Sequence, residues 1–175
     1  MDQITESGPP GEFEELLTDA LRGRIVFMGV GNVLRGDDGI GPCLAERLAG
    51  FGLDAVDAGT VPENYIGKVS RLQPDTVVII DAVHLDRDIG TLELLRRQDL
   101  LESTGFTTHT LSPALVMDRI RQETGAEVFL LAVQPACLDL GAPLSPKLEG
   151  LLDTVSERLA SLCRMERTRP GKSSE

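Results

Sequence analysis

Three runs of this chain, residues 24–30 (RIVFMGV), 76–80 (TVVII) and 127–133 (EVFLLAV), are almost wholly apolar and too short for a buried helix. A strand with one wetted face alternates apolar and polar residues. A run without alternation belongs to a strand covered on both faces, the mark of a parallel sheet. Between these runs the periodicity changes to that of helices. Leu44, Ala45 and Leu48 share a side of 41–48, and Tyr65, Ile66, Val69 and Leu72 recur at spacings of three and four in 62–72. Ser112-Pro113 reads as a cap and first turn, followed by Leu115, Val116, Arg119 and Ile120 on one face of a helix to about 123. Leu148, Leu151, Leu152, Val155, Leu159 and Leu162 stripe a long helix over 147–162. Two further strands are expected at 53–58 and 91–95. Strands alternating with helices predict an α/β fold with a mostly parallel sheet covered on both sides.

A length of 175 residues suits one domain. Seventeen Lys and Arg against 28 Asp and Glu leave a charge of −11. This balance disfavours nucleic acid, which needs a basic face, and docking on an anionic membrane. No apolar run approaches the ~20 residues of a membrane span, and the acidic start, MDQITESGPPGEFEE, has no hydrophobic signal core. Cys43, Cys137 and Cys163 are odd in number and form no CxxC, so neither a zinc knuckle nor a disulfide framework is indicated, and a cytoplasmic location is expected. The expected layout is a flexible acidic extension over 1–23, in which 12–21 could form a short amphipathic helix, a single domain over 24–163, and a flexible tail over 164–175.

In such a fold, ligands bind where strands end, so the residues just after the strands carry the chemistry. After the first strand comes GVGNVLRGDDGIG (29–41), a glycine-rich loop with Asp37 and Asp38. Its spacing is GxGxxxxG rather than GxGxxG, and two acids would repel a phosphate, so a dinucleotide site is disfavoured. An ordinary turn with solvated acids remains open. Asp57 and Asp81 end the next two strands; a carboxylate there is costly unless it is paired or binds a cation. The chain has two His: His84 in a polar loop, and His109 in TTHTLSP ahead of a helix on the same edge. Asp, Asp and His together would suit a first-row divalent ion such as nickel or zinc. No GxSxG elbow or HExxH motif occurs.

GVGNVLRGDDGIGP, DAGTVPEN (57–64), VVIIDAV, TTHTLSP and VFLLAVQP (128–135), in that order, resemble the hydrogenase maturation proteases across about 24–162. The details TVPEN, TTH and AVQP look most like the branch serving the hydrogenase 3 of formate hydrogenlyase. The resemblance implies a three-layer helix–sheet–helix sandwich with a five-stranded, mostly parallel sheet and one antiparallel strand. It implies an aspartyl-type endopeptidase that recognises nickel, delivered within the immature large subunit of a nickel–iron hydrogenase, and removes that subunit's C-terminal extension. Asp38, Asp81 and His109 match the family's metal-binding and catalytic positions, which other divalent metals can also occupy. A non-proteolytic nickel-dependent chaperone or sensor of the same fold is the alternative. A monomer is expected. Asp37 would then cap the turn or the following helix, and Asp37→Asn would retain substantial cleavage. The first 23 residues and the basic tail have no counterpart in the family pattern and are expected to be dispensable.

Overall fold

The computed structural model describes residues 5–6, 11–102 and 112–170. The strands are β1 (Thr5–Glu6), β2 (Ile25–Val30), β3 (Asp54–Gly59), β4 (Thr76–Ala82), β5 (Thr91–Leu95) and β6 (Glu127–Val133). The helices are α1 (Glu12–Ala20), α2 (Ile40–Gly50), α3 (Ile66–Arg71), α4 (Arg97–Glu102), α5 (Pro113–Thr124) and α6 (Pro146–Arg167), with 3₁₀ turns at Gly36–Gly39 and Pro62–Tyr65. One sheet runs β1-β5-β6-β4-β2-β3. Its five longer strands are the expected ones. The β6–β4, β4–β2 and β2–β3 pairs are parallel, and β5 is the antiparallel strand against β6. Two elements were not foreseen: the two-residue β1, which extends the edge beside β5, and α4.

Apolar residues on both faces of β4 divide the core into two layers. Val78 and Ile80 point into a cluster with Phe27, Leu44 and Leu48, covered by α1, α2 and α6. Val77 and Ile79 point the other way, among Val26, Met28, Ile66, Val69, Met117 and Ile120, covered by α3 and α5. The buried leucines of α6 each contribute roughly 1.5–3 kcal/mol on leaving water.

The domain boundary expected at residue 24 is corrected by this packing. Phe13, Leu17 and Leu21 are each no more than 3% exposed and belong to the first cluster, while Leu16 on the opposite side of α1 faces solvent. Arg158 of α6 pairs with Glu14 of α1. The acids of 12–21 make the segment look like a tail, but its i, i+4, i+8 leucine and phenylalanine spacing supplies a complete buried face. At the other end, α6 continues to Arg167, and Glu166 accepts a hydrogen bond from the Gly23 N–H at 3.1 Å, so 163 falls inside a helix.

The topology opens a place for a site. α2 leaves β2 over one face of the sheet, and α3 leaves β3 over the other before the chain returns to β4 on the far side of β2. The loops after the neighbouring strands β2 and β4 therefore diverge, and a crevice opens at their carboxyl ends. Two glycines bring α2 tight against it. A Cβ on Gly41 would stand 2.3 Å from the Ile80 carbonyl oxygen and 2.4 Å from that of Val30, and one on Gly29 would stand 2.2 Å from the Gly41 oxygen.

Candidate active site

Asp38 and Asp81 meet at this crevice, 43 residues apart in sequence. Asp81 is the penultimate residue of β4, so the sheet hydrogen bonds that pair it with Ala132 of β6 fix its backbone. Its side chain is 8% exposed. Burial, first, and the charge of Asp38, second, push its carboxyl up from 3.8 to about 8, against the lowering effect of the Ala82 N–H. No Lys or Arg is among the groups acting on it. An acid so placed holds its proton near neutrality.

Asp38 is set by the glycine loop. Its Oδ2 accepts the Asn32 N–H at 2.8 Å, while the Asn32 Oδ1 accepts the Leu34 N–H at 2.9 Å. Gly31 makes this possible. It sits at φ 138°, and a Cβ there would stand 1.8 Å from the Asp38 carbonyl oxygen. The spacing that failed as a dinucleotide motif is thus explained. These glycines serve close backbone contacts among β2, the 3₁₀ turn and α2.

Asp37 behaves differently from expectation. It is fully buried, and its carboxylate accepts three backbone N–H groups: Ala136 at 2.7 Å and Cys137 at 3.2 Å on Oδ2, and Ser145 at 2.6 Å on Oδ1. It therefore caps neither its own turn nor α2. It ties the turn to the 136–145 loop and to the residue that begins α6. Backbone bonds from Gly36 N–H to Ala142 O, from Asp37 N–H to Cys137 O and from Gly141 N–H to Leu34 O reinforce the seam. With all three donors already facing a carboxylate, an Asn would turn an amide N–H₂ toward one of them. The expectation that Asp37→Asn retains substantial cleavage is withdrawn on this geometry.

Of the other candidates, Asp57 is exposed and its Oδ1 accepts the Gly59 N–H at 2.9 Å, a local turn contact. His84 is exposed in the loop after β4. His109 lies outside the described residues; the chain is described again from Ser112, at the start of α5, on the layer to which Asp81 points by strand alternation. Among the described residues no group of three His, Cys, Asp and Glu could hold a metal ion. Asp38 and Asp81 alone offer two carboxylates, hard oxygen donors with mutual repulsion that a divalent cation relieves.

A residue that sequence reasoning missed is Gln134, 7% exposed just after β6. Its Oε1 accepts the Leu85 N–H at 2.6 Å and its Nε2 donates to the Pro135 oxygen at 3.1 Å. It anchors the loop that leaves β4 after Asp81. The only signal was a polar residue closing an otherwise apolar run. Around the crevice, Val33, Leu34 and Leu140 are exposed apolar side chains on the two loops that Asp37 joins.

Comparison with known proteins bears on the fold and the family. A family model described as HycI, hydrogenase maturation protease, matches residues 42–162, a span that includes Asp81 and His109 and begins four residues after Asp38. The hydrogenase 3 maturation protease of Escherichia coli K12 is 31% identical over 137 residues, which is 77% of this chain and 87% of that protein. The crystal structure of the [NiFe] hydrogenase maturation protease HycI from Thermococcus kodakarensis superposes with a TM-score of 0.77 at 32% identity, covering 85% of this chain and 99% of that one. The solution structure of the Escherichia coli endopeptidase HycI gives a TM-score of 0.71 at 30% identity, covering 79% and 90%. With the fold, the extent of the match and the identities in agreement, this chain belongs to the hydrogenase maturation protease family and is an endopeptidase.

Proposed function

We propose that this endopeptidase recognises nickel already seated in the immature large subunit of a nickel–iron hydrogenase and hydrolyses one peptide bond to release that subunit's C-terminal extension. It acts in the cytoplasm as a monomer. The observation that carries the reading is the convergence of Asp38 and Asp81, with Asp81 holding its proton up to about 8. Two carboxylates in a water-poor crevice are costly unless a cation joins them, and a substrate that brings its own cation relieves that cost only when it is correctly loaded. Asp38 and Asp81, with His109, would ligate the precursor's nickel, and Asp81 would release its proton as the cation arrives. A divalent cation so held polarises a carbonyl or acidifies a water. Val33, Leu34 and Leu140 would give the extended C-terminal segment of the precursor an apolar surface beside the acids.

The test is to incubate the protein with a nickel-loaded large-subunit precursor and weigh the products. A mass loss from the precursor's C-terminus with wild type and none with Asp38→Asn is expected. Stable binding of the nickel-loaded precursor with no mass loss would instead make the protein a nickel-dependent chaperone or sensor.

A further inference from the structure

We propose that Asp37 is a positioning residue for the cation-binding acid beside it: by locking the 3₁₀ turn Gly36–Gly39 to the 136–145 loop, it holds the Asp38 carboxylate where it can share a cation with Asp81. The inference rests on the reading of Asp38 and Asp81 given above and adds a residue to it.

Within the loop the turn is held by the backbone bond from Asp38 N–H to Arg35 O at 3.1 Å and by the Asn32 N–H on Asp38, but by no capping side chain. Gly36 sits at φ 54°, and a Cβ there would stand 2.5 Å from the Cys137 oxygen. The contacts that tie the turn to the rest of the fold come from across the loop. Asp37 is 0% exposed and takes three N–H groups, one of them from Ser145, the N-cap residue of the 22-residue helix α6. The positive end of that helix and three oriented amides stabilise a buried carboxylate. Asp38 follows directly in the chain, so a rotation of the turn that releases Asp37 also moves Asp38 away from the Asn32 N–H. Coupling between the lock and cation binding must be reciprocal: what the lock gives to affinity, the cation returns to the lock.

The experiment uses the full chain and Ni²⁺ alone as the probe, with affinity measured by calorimetry and folding followed by circular dichroism. Asp37→Asn and Ser145→Pro are each expected to weaken Ni²⁺ binding by tenfold or more. Ser145→Pro removes one of the three donors yet leaves every charge in place, and Ser145 already has φ −63° and ψ 150°, which proline accepts ahead of Pro146. Asp139→Asn, which removes an exposed charge from the same loop, should change affinity less than twofold. In the unmodified protein, saturating Ni²⁺ should slow hydrogen exchange at the Ala136, Cys137 and Ser145 amides by a factor matching the loss seen in the variants. This arm decides the matter if either variant does not fold. Wild-type affinity in a folded Asp37→Asn overturns the proposal. So does a loss confined to Asp37→Asn with Ser145→Pro unaffected, which would mark a bare charge effect, and so do unchanged exchange rates at the three amides. Abolished binding in Asp38→Asn with any of those results leaves the two-acid site standing and removes only Asp37. Absence of Ni²⁺ binding by the wild type removes both.

Discussion

Asp81→Asn should make the metal-free protein more stable, by an amount that grows with pH. Asp81 keeps its proton to about 8 in the folded chain and loses it near 3.8 when unfolded. Between those values the folded state binds more protons than the unfolded state, so wild-type stability falls as pH rises through this window and is flat above it. One proton corresponds to about 1.4 kcal/mol per pH unit, and an interval of about 4 units sets a ceiling of about 6 kcal/mol. Asn is neutral in both states and escapes the penalty. Urea unfolding with a chelator present, at half-unit steps from about pH 5 to pH 9, gives the two stability curves. The advantage of the variant should already be about 2 kcal/mol at pH 5, widen by about 1.4 kcal/mol per unit and level off above about pH 8. In Asp38→Asn, with the second cause of the raised value removed, the wild-type decline should end at a lower pH. A pH-independent difference, or an Asn variant less stable than wild type at pH 8, would refute the argument that burial and Asp38 hold that proton.

Deleting residues 1–22 strips Phe13, Leu17 and Leu21 from the core; at roughly 1.5–3 kcal/mol each, the loss should exceed about 4 kcal/mol in chemical denaturation. An equally stable truncated chain would mean that α1 is an ornament. Gly41→Ala should cost more than about 2 kcal/mol, since its Cβ would meet backbone oxygens on two sides, whereas Gly50→Ala in the same helix meets nothing within 4 Å and should gain roughly 0.5–1 kcal/mol. Gln134→Ala leaves the Leu85 N–H without its acceptor, a cost of about 1–3 kcal/mol, and hydrogen exchange at Leu85 should speed while the β4 amides stay protected. Cys163, 2% exposed with its thiol pushed up to about 11 by burial, should resist a disulfide reagent at pH 8 until the protein unfolds.

What could be read from the residues was what short-range pattern controls. The apolar runs placed β2, β4 and β6 to within two residues, because a strand buried on both faces tolerates little polar interruption. The acid that closes TVVIID announced itself for the same reason. Asp37 and Asp38 could not be told apart in this way. Both lie in one polar turn, and their roles are assigned by partners 6 residues away for one and about 100 away for the other. Helix α1 was anticipated but its packing on the core was not, because the charge count over 1–23 hid a three-residue apolar face. Gln134 was passed over because its work is done for a loop 49 residues away, to which no local spacing points.

The seam between Asp37 and Ser145 also bears on how the enzyme comes into being. Asp38 and Asp81 are both synthesised in the first half of the chain, and β2, β3 and β4 could pair as soon as they emerge. Yet the layer that covers Val78 and Ile80 is finished only by α6, and the donor that completes the cradle around Asp37 is the residue that starts it. A nascent chain that stops short of residue 145 carries both acids but lacks this third clamp and the helix behind it. By this geometry the cradle around Asp37 is complete only once the chain has reached its last long helix.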